Sequence, residues 1–377
     1  MISFDSTESK IMLLQLQKYR KKFISILHSE LLQKGSSRIK ENTKILRNQI
    51  RRDKKKIGWS FIPRAKLAAT LHFHSNHPNI PDLPKLVKHL LDVLYTEICT
   101  DDMQIEYLAA CCYRPSRREF SSSTSRKSIF VKVEKLTDFK QKFSLFSTLM
   151  NNNDFRDYAK YHLQSSRFFK ENYKDIEELW PDEKTVHLLN IPPETAQAWH
   201  KMIRMQNQQK LISINRLNTY DWPEGPKKLL YHFQKSWSDL NPFIFNMEGL
   251  PTKKGKAKYK ARLQTKLREL NKKFPSFGKI IAPLELDIQV SLKGSKLNKD
   301  LDNIMLNISS VFAEELLETG SYLHGYRIYV IKHQKNIPVI NSIHFKLLPL
   351  YEINDFYSLI EDVLELGIEW MQGRSWH

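Results

Sequence analysis

Asp300 and Asp302 stand two positions apart in Lys-Asp-Leu-Asp-Asn (299–303), where a loop enters a helix. Outside a helical repeat, carboxylates at i and i+2 can be aimed at one point. Two or three converging carboxylates with open water positions are what Mg²⁺ takes. Such a site can orient and ionise a water against a phosphodiester. Aspartate is also a favoured helix N-cap, so capping alone is the competing account. A related pattern, Pro-Asp-Leu-Pro-Lys (81–85), lies 218 residues earlier, with Asp82 at the place of Asp300 and Pro84 at the place of Asp302. Proline suits the first turn of a helix, where its missing N–H is not needed. The exchange keeps the helix and removes a ligand. Two more carboxylates, Asp101 and Asp102, follow that helix. A helix of about 16 residues carries the chain about 24 Å, so Asp82 and Asp102 meet only if the chain folds back.

Other reactive side chains have simpler competing roles. His72 and His74 share a strand face, with His77 close behind, and His pairs ligate Zn²⁺. No cysteine stands within ligand spacing of them, and contact with phosphate is their other reading. Cys99, Cys111 and Cys112 form no CxxC pair and no disulfide framework, so a reducing, intracellular (cytoplasmic) compartment is expected. With 11 glycines and no GxGxxG or GxxxxGK[ST] string, glycine-rich phosphate loops are excluded. No nucleophile elbow supports serine catalysis.

The elements that must position these groups come twice. Residues 65–74 and 283–292 alternate apolar and polar positions as half-buried strands do. A short loop and an aspartate follow each, and then an amphipathic helix, over about 83–98 and about 301–318. Two strands complete each copy, at about 104–113 with 129–136 and at about 326–333 with 342–348. A basic helix precedes each first strand, at 36–56 and 253–273. The order predicts an α+β fold of two α/β units, each a small sheet with packed helices, joined by a mostly helical connector. The expected divisions are 1–137, 138–240 (the connector), 241–349, and a C-terminal amphipathic helix within 350–377.

Charge is concentrated where those basic helices lie. The 377 residues carry 60 Lys+Arg against 41 Asp+Glu, a net charge of +19. Residues 1–56 and 252–279 each contribute +10, so the rest of the chain is near neutral. Apolar stripes (Ile39, Ile45, Leu46, Ile50; Tyr259, Leu263, Leu267, Leu270) leave a cationic face on each helix. Arg47, Arg51, Arg52, Lys54, Lys55 and Lys56 belong to the first. Lys253, Lys254, Lys256, Lys258, Lys260, Arg262 and Lys266 belong to the second. Two concentrated cationic faces point to a polyanion, and nucleic acid is the commonest one inside cells. No run of about 18 apolar residues occurs, so no transmembrane span and no membrane partner is expected. The N-terminus lacks the basic-then-apolar order of a signal peptide.

Each copy resembles the RusA-like family of Holliday junction resolvases. The likeness spans about 241–349 and, more weakly, about 36–136. It rests on a strand, Asp-Leu-Asp-Asn opening a helix, a Lys one turn in, and an Asp-Asp pair about twenty residues on. FIFNMEGLPTKKGKAKYKARL (243–263) resembles the family's first strand, loop and basic helix. Members are small α/β homodimers that cut branched DNA with Mg²⁺ bound by their acidic residues. The resemblance implies metal ligands among Asp300, Asp302, Asp82, Asp101 and Asp102, and a phosphate-neutralising role for Lys88. In the second copy Leu306 takes the Lys position, and the Asp-Asp position falls near Gly320 and Ser321. Each copy lacks a different part of the set. The implied function is a Mg²⁺-dependent endonuclease acting on branched DNA, with sites at Asp82/Asp102 or Asp300/Asp302. The alternative is a non-catalytic nucleic-acid-binding subunit of a larger complex, with protein partners or a second copy of the chain.

Overall fold

A computed structural model describes principally residues 22–32, 36–60, 65–75, 81–95, 97–113, 127–150, 244–251, 255–273, 284–294, 300–316, 323–333 and 340–348, with residues 152, 154, 155, 158, 159, 361 and 364–372. Most of the expected connector, together with His77, Lys253 and Lys254, lies outside the described residues.

The fold is mixed α+β. Strands β1 (Phe23–Leu27), β2 (Leu67–His74), β3 (Ile105–Tyr113) and β4 (Ser128–Lys135) come from the first half, interleaved with helices α1 (Ile39–Ile57) and α2 (Leu83–Leu94). Helix α3 (Leu136–Met150) follows β4 directly. The second half repeats the order as β5 (Ile244–Glu248), α4 (Lys256–Lys273), β6 (Leu284–Lys293), α5 (Leu301–Leu316), β7 (Leu323–His333) and β8 (Ser342–Leu348).

All eight strands join one sheet in the order β1-β4-β2-β3-β7-β6-β8-β5. Read from its two ends, that order is the same four-strand arrangement twice. β2 and β3 are parallel, as are β6 and β7, because a helix crosses between the members of each pair. A register shift falls between Leu67 and Ala68 in the first copy and between Leu284 and Glu285 in the second. The repeat therefore extends to its irregularities.

The halves meet along antiparallel β3 and β7, where Tyr107 faces Tyr329, Ala109 faces Arg327 and Cys111 faces Gly325. Ala109 and Arg327 are 218 positions apart, the same spacing as Asp82 and Asp300. Equivalent positions thus face one another there, and the local two-fold axis of the repeat runs through that pair. The Tyr107 and Tyr329 rings stack across the seam at 6.4 Å, and Arg327 forms an ion pair with Asp287 of β6.

One sheet face carries the core. Leu67, Ala69, Leu71 and Phe73 of β2 and Leu286, Ile288, Val290 and Leu292 of β6 alternate onto it, as a period of two requires. The helices cover it with buried stripes at helical spacing: Asn42, Leu46 and Ile50 on α1, and Tyr259, Leu263 and Leu267 on α4. These two stripes correspond position for position; Ile45, expected on the first, turns to solvent, and Asn42 takes the buried place one turn before Leu46. Gly58, at φ +67°, ends α1 in the left-handed conformation that glycine adopts without strain.

The described chain divides into two compact units. One comprises residues 23–136 and 221–353 and holds the whole sheet; the other comprises residues 1–22, 137–220 and 354–377. Within the second, Phe155 meets Trp370 edge to face at 5.4 Å, and Glu361 takes ion pairs from Lys142 and Lys22. The helical C-terminal residues thus pack against the start of the expected connector.

Candidate metal centre and basic helices

The first carboxylate pair is set by a tight turn. Asp101 caps a short 3₁₀ helix (Asp102–Gln104) by accepting a hydrogen bond from the Met103 N–H at 2.9 Å. Gln104 anchors this turn from inside the protein. Its Oε1 accepts from the Thr100 N–H, the Thr100 hydroxyl and the Asp101 N–H, and its Nε2 donates to the Ala65 carbonyl before β2. Asp101 and Asp102 are therefore fixed relative to the sheet.

The second pair opens α5. The Ile304 N–H donates to the Asp300 carbonyl, and Asn303 Nδ2 donates to Asp300 Oδ2 at 2.7 Å. Asp302 lies one residue into the helix and points inward, with 1% of its surface exposed. A carboxylate buried to that degree needs a partner. Lys88 of α2 supplies one, its Nζ lying 2.9 Å from Asp302 Oδ2, 3.6 Å from Asp102 and 3.4 Å from Asp92. Asp302 Oδ2 thus meets the Lys88 ammonium as an ion pair.

These pieces converge. Ligand oxygens of Asp101, Asp102 and Asp300 lie within 4.8 Å of one another, a spacing that can hold a metal ion. The group is assembled across the repeat: Asp101, Asp102 and Lys88 come from the first copy, Asp300 and Asp302 from the second. The sequence suggests a site at Asp300/Asp302 or at Asp82/Asp102, either one within a single copy. Among the described residues the structure instead brings carboxylates of both copies to one place. Asp82 does not join it; its side chain is 70% exposed and forms an ion pair with Lys85 at 2.8 Å. Helix α2 separates Asp82 from Asp102, and the chain does not bring the two ends of that helix together.

The electrostatics follow from crowding. Burial, then the charge of Asp300, raises the Asp102 carboxyl to about 6; Asp302 adds to the rise, and Lys88 opposes it. Asp300 is also raised, by burial and by Asp302, against the Asn303 hydrogen bond and Lys88. Burial acts against the Lys88 charge, but its contact with Asp302 and the nearby carboxylates outweigh it, so Lys88 stays protonated. Burial and the charges of Asp102 and Asp101 push the Cys99 thiol up to about 12, which leaves it no thiolate character. Like charges held this close without full solvation attract a hard cation. The donors are all carboxylate oxygens, the type that Mg²⁺, Mn²⁺ and Ca²⁺ prefer over softer metals.

The basic helices divide into anchored and open cations. Arg51 binds Glu97 through Nε at 3.0 Å and a terminal nitrogen at 2.7 Å, while Lys54 donates to the Glu97 carbonyl. In the second copy Arg268 grips Glu315 in the same way, at 2.8 to 3.1 Å. Arg47 donates to the Asp92 carbonyl and Lys260 to the Ser310 hydroxyl. Lys266 lies 3.3 Å from Glu269. Arg262 donates to the Glu248 carbonyl, while Arg52, Lys55 and Lys56 on α1, and Lys256 and Lys258 on α4, face solvent. Part of each cationic set thus docks its helix, and the rest forms the open face.

Sequence reasoning passed over Asp92, Gln104, Glu97, Glu315 and Arg268. Laying one copy on the other would have exposed the paired Arg51–Glu97 and Arg268–Glu315 contacts, since both members recur at about the spacing of the repeat. His72 packs against the Phe130 ring at 5.1 Å, and burial lowers the His74 pKa. Neither belongs to a group that could hold a metal among the described residues. No helix among the described residues is long and apolar enough to cross a membrane. In comparisons with known proteins, no family model, no curated protein and no solved structure matches this chain.

Proposed function

We propose that the chain is a DNA-binding protein with a Mg²⁺-dependent endonuclease centre of RusA-like type, acting on branched DNA, and that its two halves are a tandem fusion of the units which that family uses as a homodimer. The observation that carries the reading is the convergence of Asp101, Asp102 and Asp300 across the seam, beside buried Asp302 and Lys88. Asp101, Asp102 and Asp300 would hold the cation, with Asp302 behind them. A bound Mg²⁺ would polarise a phosphoryl oxygen and acidify a water. Asp102, whose carboxyl lies near 6 with no cation bound, would be ionised around neutral pH and so available as a ligand. In the reaction the water oxygen bonds to phosphorus and one P–O ester bond breaks. One proton passes to the leaving alkoxide, and a phosphate monoester remains on the other end. Lys88 offsets negative charge beside the site. The open cations of α1 and α4 hold phosphates on either side of the local axis, an arrangement suited to a branched, roughly two-fold partner.

The second reading is a non-catalytic DNA-binding subunit of a larger complex. It is favoured by Lys88, whose ammonium already neutralises Asp302 without a metal. Incubating the protein with a labelled four-way junction and Mg²⁺ separates the two. The nuclease reading expects cleavage that Asp300→Asn abolishes while junction binding persists. Binding without cleavage, at any divalent ion tested, selects the subunit reading. Equal affinity for junction, linear duplex and RNA removes the branched-DNA claim.

A further inference from the structure

The local two-fold axis through Ala109 and Arg327 gives every part of the candidate centre a counterpart, and the counterparts have lost the chemistry. Pro84 stands where Asp302 does, Lys85 where Asn303 does, and Leu306 where Lys88 does. In the sequence, the place of the Asp101–Asp102 pair falls near Gly320 and Ser321, with no aspartate there. The one acidic residue left, Asp82, is exposed and paired with Lys85. The frame around the two positions is nevertheless matched. The register shifts, the buried stripes of α1 and α4, and the Arg51–Glu97 and Arg268–Glu315 pairs all recur. The molecule thus keeps a two-sided grip and one centre.

We infer that each chain binds a single divalent cation and delivers a single nick per bound junction, leaving the strand on the opposite side of the axis held but uncut. This rests on the function proposed above and specifies its outcome. It stands on two observations: the carboxylate cluster across the seam, beside which Lys88 already pairs with Asp302, and the want of a matching cluster among the described residues at the two-fold-related position, where Asp82 is paired with Lys85. A symmetric pair of cuts would require a second set of converging carboxylates, and the position that would supply it has proline, a lysine-neutralised aspartate and leucine instead.

The test uses the full chain and two readouts. The first is Mn²⁺ binding followed by electron paramagnetic resonance. One ion per chain is expected. Asp300→Asn and exposed Asp101→Asn should each weaken it at least tenfold, and Asp82→Asn should change it less than twofold. Two ions per chain, or one that Asp82→Asn removes, would overturn the inference. The second readout is a supercoiled plasmid with an extruded four-way junction. Nicked circles should accumulate first, with linear product appearing only after a second encounter. Linear product formed as fast as nicked circles overturns the single-nick claim and leaves the nuclease reading standing. No Mn²⁺ bound at millimolar concentration and no cleavage would remove both.

Discussion

Lys88 Nζ lies 2.9 Å from Asp302 Oδ2, and the two residues belong to different copies of the repeat. The pair ties α2 to α5 at a place where Asp302 is almost wholly buried. Removing one partner of such a pair leaves an uncompensated charge inside the protein, which costs on the order of 3–5 kcal/mol. Lys88→Met should therefore destabilise the sheet-bearing unit by about that much, and adding Asp302→Asn should recover much of it. Urea unfolding of both variants measures the difference. Additive losses would mean that the two side chains do not depend on each other.

The Asp102 carboxyl titrates near 6 because burial and Asp300 hold its proton on. An ordinary aspartate titrates near 3.9. Between these values the folded protein binds more protons than the unfolded chain, so metal-free stability falls as pH rises through this range. Asp102→Asn should flatten that dependence. A cation competes with the same proton, so Mn²⁺ affinity should weaken as pH drops below about 6. Thermal melts from pH 4 to 7.5, with and without Mn²⁺, read both trends.

Gln104 makes four hydrogen bonds that fix the turn carrying Asp101 and Asp102. Gln104→Leu leaves buried donors and acceptors without partners, a loss of about 1–3 kcal/mol for each group left unsatisfied. The expected result is a lower melting temperature together with weaker Mn²⁺ binding. A stability loss with unchanged cation affinity would show that the turn does not position the carboxylates.

Leu46 and Leu263 occupy matching places on α1 and α4, and both are buried. Truncating either to alanine should cost about 2–5 kcal/mol. The two values should be similar if the repeat extends to packing, which chemical denaturation of each variant would show.

The open cations are also matched between the two helices. If α1 and α4 each hold phosphates, charge removal at Lys55 and Lys56, or at Lys256 and Lys258, should weaken DNA binding from either side. For every phosphate no longer neutralised, the slope of log affinity against log salt should become shallower by about 0.9. Fluorescence anisotropy titrations at several salt concentrations measure that slope. An unchanged slope for both double variants would place the DNA elsewhere.

Much of the α+β order was legible because its signals are local. The strands at 65–74 and 283–292 appear at Leu67–His74 and Leu284–Lys293, since alternation survives short-range reading. The helix expected to run to about 98 ends at Leu94, and the chain tightens into the turn that Gln104 organises. Strand β1 was missed: Phe23–Leu27 is five residues long and lies in a strongly basic segment. The assembly of the site was not legible. It depends on β3 meeting β7 in one register, with partners more than 200 positions apart and no turn to specify the pairing. Asp101 and Asp102 stood out as a pair, but nothing near them in the chain points to Asp300. The eventual position of Lys88 against Asp302 was hidden for the same reason.

A strict two-fold axis between identical strands forces each side chain on the axis to meet its own twin. Here alanine confronts arginine instead. Two guanidinium groups brought together at that point would repel, whereas a methyl group leaves Arg327 room to reach Asp287. The second half alone would therefore be a poor self-associating unit along β7. The halves are unlike at their meeting line, and within a single chain each can supply there what the other lacks.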